Sequence, residues 1–470
     1  MNLPQNSVTG LAPRFAWRRL AVALFSLPVF AAGSFAADTP PLRPNILFIL
    51  ADDLGWGDVG FHHGNVPTPN LDRLAVDGLE LMQHYVYPVC SPTRCALLSG
   101  RYASRFSVTT PQNPRAYRWD TVTLARALKS VGYDTALCGK WHLGSKPEWG
   151  PQLFGFDHSY GSLAGGVGPW NHRYKLGEFT QTWHRDGKLI EEKGHVTDLI
   201  THEAIEWLES RTDKPFFLYI PFTAVHIPMR EPDEIVQRVP ATVTGLTHRH
   251  YGANVMHLDD SIGKILAALE KTGKAGNTLV IFGSDNGAIP GVENNDPQYP
   301  PDDYPSGPAG GSNEPLHGMK GEVYEGGIHT PAVARWPGHL KAGKFLGLAH
   351  ITDWMPTFCA LAGYQPEKDL KWDGQNIWPQ LTGAEPPKPR TIYVAGPGFR
   401  ASALRDGDWK LVLTQGKAAK KAADKSELFN IGSDPNETTD VAGQFPDIVG
   451  RLRTKLEQAA AADHDADADD

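Results

Sequence analysis

Asn45-Ile46-Leu47-Phe48-Ile49-Leu50 is an unbroken run, apolar after its first residue, that stops at the acidic pair Asp52-Asp53. Apolar positions on both parities, with β-branched Ile46 and Ile49 among them, read as a strand buried on both faces. Such a strand belongs to the interior of a mostly parallel sheet. Asp52-Asp53 then stands where the strand leaves the core.

The same pattern recurs three times. Thr135 to Cys138 runs into Gly139-Lys140-Trp141-His142, Phe216 to Ile220 into Pro221 and then His226, and Thr278 to Phe282 into Ser284-Asp285-Asn286. Stretches with helical spacing lie between these runs. They are Leu71 to Leu79 behind Asn70 as an N-cap, Thr121 to Val131, Asp198 to Leu208, and Leu258 to Leu269. Strands alternating with helices predict the α/β class, a mostly parallel sheet sandwiched by helices. Past Leu381 the texture changes. Leu404 to Leu413 reads as a hairpin around an Asp-Gly turn, Glu427 to Ile431 as a strand and Phe445 to Ala460 as a helix. The predicted organisation is a catalytic α/β domain over 43–380, a small antiparallel sheet plus helix over 381–460, and a disordered acidic tail over 461–470. Gly287 to Pro315, rich in Gly, Pro, Asn and Asp, reads as a long functional loop.

Length and composition set the class. With 470 residues, 41% of them hydrophobic, the chain can bury a large core. A net charge of −8 excludes nucleic acid as a partner, because phosphate binding needs a basic face. Residues 1–36 read as a secretory leader: Arg14, Arg18 and Arg19, an apolar run from Leu20 to Phe30, then Ser34-Phe35-Ala36 as a cleavage site. Pro28 and the shortness of that run argue against stable membrane insertion. The expected location is therefore periplasmic or secreted. The 4 cysteines, Cys90, Cys95, Cys138 and Cys359, are too few for a disulfide scaffold.

Ligands of open α/β sheets bind at the carboxyl ends of the strands, so the four polar clusters converge. Asp52, Asp53, Asp285 and Asn286 offer only oxygen donors, which suit a hard cation, Ca²⁺ or, second, Mg²⁺. Arg94, Lys140 and Lys320 add positive charge suited to an anion whose charge spreads over several oxygens. The setting Gly318-Met319-Lys320-Gly321 suggests a backbone passing close to a ligand.

Cys90-Ser91-Pro92-Thr93-Arg94-Cys95-Ala96-Leu97-Leu98-Ser99-Gly100-Arg101 resembles the sulfatase signature, and Gly139-Lys140-Trp141-His142-Leu143-Gly144 resembles the second signature of that family. Pro67 to Leu74, Asp406 to Leu411 and Glu427 to Asn430 extend the resemblance over nearly the whole mature chain. It implies an alkaline-phosphatase-like fold and a nucleophile made by converting Cys90 to formylglycine (3-oxoalanine), for which a formylglycine-generating maturation enzyme is the required partner. One hydroxyl of the hydrated aldehyde attacks sulfur, and the second drives release of sulfate. Asp52, Asp53, Asp285, Asn286 and residue 90 itself would hold calcium. Arg94 and Lys140 would orient the hydrate, and His142 would accept its proton. His226 and Lys320 would contact the sulfate ester, with His226 as acid for the leaving oxygen.

Within the family the chain is most similar to the arylsulfatase B (N-acetylgalactosamine-4-sulfatase) branch, through Gly155-Phe156-Asp157, Tyr160-Gly161 and Trp170-Asn171-His172. A sulfated carbohydrate is the implied substrate, with Trp170, His172, Glu314 and His317 as candidate sugar contacts. Ala288 and His317 stand where relatives often carry glycine and arginine. The competing reading is a phosphodiester or phosphonate monoester hydrolase of the same superfamily.

Overall fold

The Asn45–Ala51 run is the centre of the molecule, buried along its whole length. The structure, a computed structural model, describes residues 42–416 and 424–469 together with isolated positions 1, 10 and 12. The leader expected over 1–36 therefore lies outside the described residues. Pro41–Asp470 forms one compact unit, so the C-terminal sheet is packed on the catalytic region rather than detached from it.

In chain order the strands are β1 (Asn45–Ala51), β2 (Leu79–Leu81), β3 (His84–Tyr85), β4 (Asp134–Cys138), β5 (His158–Ser162), β6 (Trp183–Arg185), β7 (Lys188–Leu189), β8 (Phe216–Pro221), β9 (Thr278–Ser284), β10 (Ala332–Arg335), β11 (Gly343–Phe345), β12 (Ala349–His350), β13 (Thr391–Ala395), β14 (Ala401–Asp406), β15 (Trp409–Thr414) and β16 (Lys425–Asn430). Ten of them form one sheet in the order β11-β2-β10-β9-β1-β8-β4-β5-β6-β7. The four expected strands are adjacent and parallel at its middle, as β9-β1-β8-β4. Only β10 and β6 run against the rest of this sheet. β13 to β16 form the separate four-stranded antiparallel sheet expected near the C-terminus.

The helices are α1 (Pro69–Asp77), α2 (Cys90–Ser99), α3 (Leu124–Ser130), α4 (Val196–Glu209), α5 (Asp233–Arg238), α6 (Leu246–Lys271), α7 (Glu325–Ile328), α8 (Trp354–Ala362), α9 (Trp378–Leu381) and α10 (Pro446–Ala460). Among the described residues, no helix is long and apolar enough to cross a membrane. Side chains of β1 alternate between two cores. Ile46, Phe48 and Leu50 meet residues of α2, α3 and α8 on one face. Leu47, Ile49 and Ala51 meet residues of α1, α4 and α6 on the other. The register pairs Leu50 with Pro221 and Ala51 with Ser284. Asp52, Phe222 and Asp285 therefore leave the sheet at one level.

Several expectations need correction. Asn70 is inside α1, not its cap: Thr68 precedes the helix and Pro69 opens it, where a missing N–H costs nothing. The free N–H groups of Asn70 and Leu71 donate instead to Asp259 of α6. Leu79 belongs to β2. Helix α6 begins at Leu246, not near Leu258, because its first half buries polar residues such as His250 and His257, which break the apolar pattern. Of the glycines around Lys320, whose nearness to a ligand is a separate matter, Gly318 and Gly321 have φ of 89° and 92°, the left-handed region that favours glycine. The loop after Asp285 is held by buried Asn294, whose side chain accepts from Met229 N–H and donates to the carbonyls of Met229 and Pro305.

The acidic tail is bound rather than disordered over its described residues. Asp463 accepts hydrogen bonds from Ser104, Arg105 and Tyr393. Asp465 pairs with Arg101 at 2.6 Å, and the N–H groups of His464 and Ala466 donate to the carbonyls of Ser104 and Arg105. Deleting residues 463–470 is expected to lower stability by about 1–3 kcal/mol, since Arg105, 4% exposed, loses one of its two carboxylate partners. Chemical denaturation of the truncated and full chains checks this; equal midpoints would mean the tail contributes nothing.

Candidate active site

The site forms where β1, β8, β4 and β9 end. Asp52, Arg94, Lys140 and Asp285 are each 0% exposed there, so their charges must satisfy one another. Lys140 Nζ donates to Asp52 Oδ2 at 2.5 Å. The Arg94 guanidinium donates to Asp285 Oδ2 from Nε (3.1 Å) and Nη2 (2.6 Å), and from Nη1 to the Lys140 carbonyl at 2.9 Å. Lys320 Nζ lies 2.7 Å from both carboxylate oxygens of Asp53, with His226 Nε2 3.7 Å from Oδ2. Asn286 donates to Asp53 Oδ1 at 2.7 Å.

Cys90 is the first residue of α2 and is 2% exposed. Pro92 fits the first helical turn, where no intrahelical donor is needed, and Gly100 ends the helix with φ of 68°. A helix N-terminus favours an anion, so the chain end of α2 and the two buried cations act in the same direction. Thr93 Oγ1 donates to the Asp285 carbonyl at 2.6 Å, and Ser91 Oγ to the His142 carbonyl at 2.9 Å. These contacts fix α2 against the β9 and β4 ends. Neither was singled out from the sequence.

Two site residues hold left-handed backbones without being glycine: Asp53 at φ 65° and His142 at φ 57°. Such strain survives where the surroundings impose it, commonly at functional sites. Gly139 has φ of 139°, and a Cβ there would stand 2.0 Å from the Pro221 carbonyl oxygen. That close approach lets β4 deliver Lys140 and His142 alongside β8.

Burial would raise the Asp52 carboxyl, but Lys140, His226 and Arg94 outweigh it and hold it well below the usual range. Burial and the Asp52 charge push Asp285 up, against the pull of Arg94. Burial, with Lys140 and Arg94 beside it, pushes His142 down, so its imidazole is neutral. Burial and Lys320 likewise bring His226 down to about 4. Lys320 is raised, because Asp53 overcomes the burial cost. The Cys90 thiol is raised by burial, so the thiolate is disfavoured and the unmodified side chain is a weak nucleophile.

The residues fit a hard cation. Asp52 Oδ1 and Asn286 Oδ1 are buried acceptors with no hydrogen-bond partner among the described residues. Ligand atoms of Asp52, Cys90 and Asp285 lie within 4.8 Å of one another, as do those of Asp52, Asp53 and His226. Oxygens dominate the donor set, as calcium or magnesium requires.

All of the expected catalytic and metal residues thus meet at one place. The sugar-contact candidates do not. Trp170 and His172 line a cavity of about 370 Å³ with Trp183, Glu191 and Glu192, none of which belongs to the ionic cluster. His317 faces another cavity beside Glu427 and Phe429 and rests on the Tyr324 ring at 4.3 Å. Glu314 is exposed and lines neither cavity.

Residues 44–364 match the family model described as Sulfatase. The chain is 35% identical to mouse N-acetylgalactosamine-6-sulfatase over 78% of its own length and 70% of that protein. It is 31% identical to mouse arylsulfatase J, covering 88% of this chain and 75% of that one. A solved structure of Ps i-CgsB in complex with k-i-k-neocarrahexaose superposes with a TM-score of 0.79 at 30% identity, covering 91% of this chain and 95% of that chain.

Arg94→Met leaves Asp285 and Asp52 buried without their guanidinium. With a chelator present, so that no cation compensates, the variant is expected to lose about 3–5 kcal/mol in a denaturant titration. A loss below 1 kcal/mol, the range of exposed pairs, would show that the cluster does not hold the site together.

Proposed function

Since the chain belongs to the sulfatase family and is a sulfuric ester hydrolase, we propose that it removes sulfate from a galactosaminoglycan-type sugar through formylglycine made from Cys90, with calcium beside it. The observation that carries this reading is the pair of unpartnered, buried acceptors, Asp52 Oδ1 and Asn286 Oδ1, in the cluster that surrounds residue 90. The raised thiol supports it from the other side, because a protonated, buried cysteine makes sense as a precursor rather than as the working nucleophile.

Calcium held by Asp52, Asp53, Asp285, Asn286 and residue 90 would supply fixed positive charge and Lewis acidity toward the substrate oxygens. The hydrated aldehyde would supply one hydroxyl for attack on sulfur and a second for sulfate release. Lys140 and Arg94 hold positive charge beneath residue 90 and keep its oxygens oriented. Neutral His142, with both ring nitrogens free of partners among the described residues, can accept a proton at residue 90. Lys320 brings a permanent charge to the sulfate. His226 is neutral in the bare site; the charge of a bound sulfate ester favours its protonation and with it transfer of a proton to the leaving oxygen.

The sugar assignment draws on the similarity to the N-acetylgalactosamine-6-sulfatases and on the arylsulfatase B-like motifs. The leader-like residues 1–36 support an exported, periplasmic or secreted protein. A formylglycine-generating enzyme is then a required partner.

Mass spectrometry of the peptide containing residue 90 from active protein is expected to show the aldehyde; an intact thiol at full activity would refute the mechanism. Cys90→Ala is expected to lower kcat by about 10³-fold or more. Side-by-side kinetics should give kcat/KM on sulfate esters at least roughly tenfold above phosphate or phosphonate esters, about 1.4 kcal/mol of discrimination. The reverse order would favour the phosphoester reading. Adding calcium at about 100 times its Kd is expected to stabilise the fold by about 2.7 kcal/mol, read as a rise in Tm over chelator-treated protein.

A further inference from the structure

Two segments without regular sheet structure start beside the ionic cluster: residues 163–182, which follow β5 and set Gly165 and Gly166 against His142 and His226, and residues 287–315, which follow β9 and Asn286. The first carries Tyr174, and the second carries Tyr299 and Tyr304. Tyr174 of the first and Tyr299 of the second meet edge to face, with ring centroids 6.2 Å apart. Both lie close to the reaction centre. A Cβ built on Gly165 would touch the Tyr174 ring at 2.8 Å and the His142 imidazole at 3.3 Å, so both rings flank this glycine. Tyr174 shares a cavity wall with Asn113. Tyr299 is tied to this region through its ring contact with Tyr174.

Tyr299 is 3% exposed, yet its hydroxyl has no hydrogen-bond partner among the described residues. A buried hydroxyl without a partner is costly and calls for an explanation. Packing alone would be served as well by phenylalanine. Tyr174 also lines a cavity of about 420 Å³ with Asn113, Lys175, Gln298 and Phe179. That wall combines polar donors and acceptors with aromatic surface, a combination suited to a sugar ring.

We propose that Tyr174 and Tyr299 contact the substrate: their hydroxyls donate hydrogen bonds to the sugar that carries the sulfate, and the cavity beside Tyr174 holds that sugar unit. This rests on the glycan-sulfatase reading and moves the sugar site away from the Trp170/His172 and His317 cavities. The ligand class is a sulfated pyranoside with ring hydroxyl or acetamido oxygens near the ester. A flat aryl sulfate lacks those acceptors. Burial raises both phenols, which keeps them protonated donors at neutral pH.

The test is Tyr174→Phe and Tyr299→Phe, which retain the ring packing. kcat/KM is measured on a sulfated galactosaminoglycan disaccharide and on 4-nitrophenyl sulfate, with Tm recorded for each variant. The loss on the disaccharide is expected to exceed the loss on the aryl ester by roughly tenfold or more, because only the sugar offers the lost partner. Equal losses on both substrates, or none on either, overturn the proposal. Wild-type protein that releases sulfate from neither substrate overturns the glycan-sulfatase reading instead. Calorimetric binding to Cys90→Ala protein then decides the tyrosines alone. Weaker disaccharide binding in the Tyr→Phe forms, with a smaller change for inorganic sulfate, supports them; parallel changes overturn them.

Discussion

Asp52 and Asp285 are carboxylates with no access to water, and they are held by two equally buried cations, Lys140 and Arg94. Removing one member of such a group leaves an uncompensated charge, which costs several kcal/mol, so the four must arrive together or the strand ends cannot close. That requirement explains the geometry around it. β1, β8, β4 and β9 lie side by side because their ends must bring Asp52, Lys140 and Asp285 to one level. Helix α2 is drawn against the same point by Arg94 and Thr93. The strained backbones of Asp53 and His142 are tolerated because neighbours on every side fix them.

The charges of the cluster also indicate what else belongs there. Asp52, Asp53 and Asp285 stand against Arg94, Lys140 and Lys320, so the residues nearly balance by themselves. A divalent cation placed among the unpartnered oxygens would leave a surplus of positive charge around residue 90. A sulfate ester carries one negative charge, and a deprotonating nucleophile develops another. A site that is neutral without its cation and positive with it therefore suits an anionic substrate attacked by a developing anion. The neutral state of His142 belongs to the same balance, since an imidazolium there would add to positive charge already present.

Legibility in the sequence followed the physics of burial. The four central strands could be read because both of their faces are covered, which makes them continuous apolar runs with polar residues at their ends. The same total burial hid α2: all ten of its residues are buried, so no polar stripe marks a helical period. The first half of α6 was obscured by buried His250 and His257; His257 is satisfied by Glu231 and Asp198 rather than by water. The tail looked like solvated acid because its partners, Arg101 and Arg105, are more than 350 residues away in sequence. The convergence of the charged residues was legible because each of them follows the end of one of these apolar strands or stands in a polar cluster.

The sugar side obeys no such rule. It is built from loop residues whose placement depends on how two irregular segments pack on each other, and a tyrosine in a loop rich in glycine and proline looks like any other. Trp170 and His172 drew attention through a motif shared with one branch of the family, yet the Trp170 indole donates to the Arg230 carbonyl and His172 Nε2 to the Gly194 carbonyl. Their polar atoms already have partners. Tyr299 is the opposite case, with a buried hydroxyl that has none among the described residues. An unpaired donor inside a folded protein is the better guide to a ligand than an exposed ring, because the fold bears a cost that only the ligand relieves. By that criterion the Tyr174–Tyr299 pair, rather than Trp170 and His172, is the place to look for the proposed sugar contact.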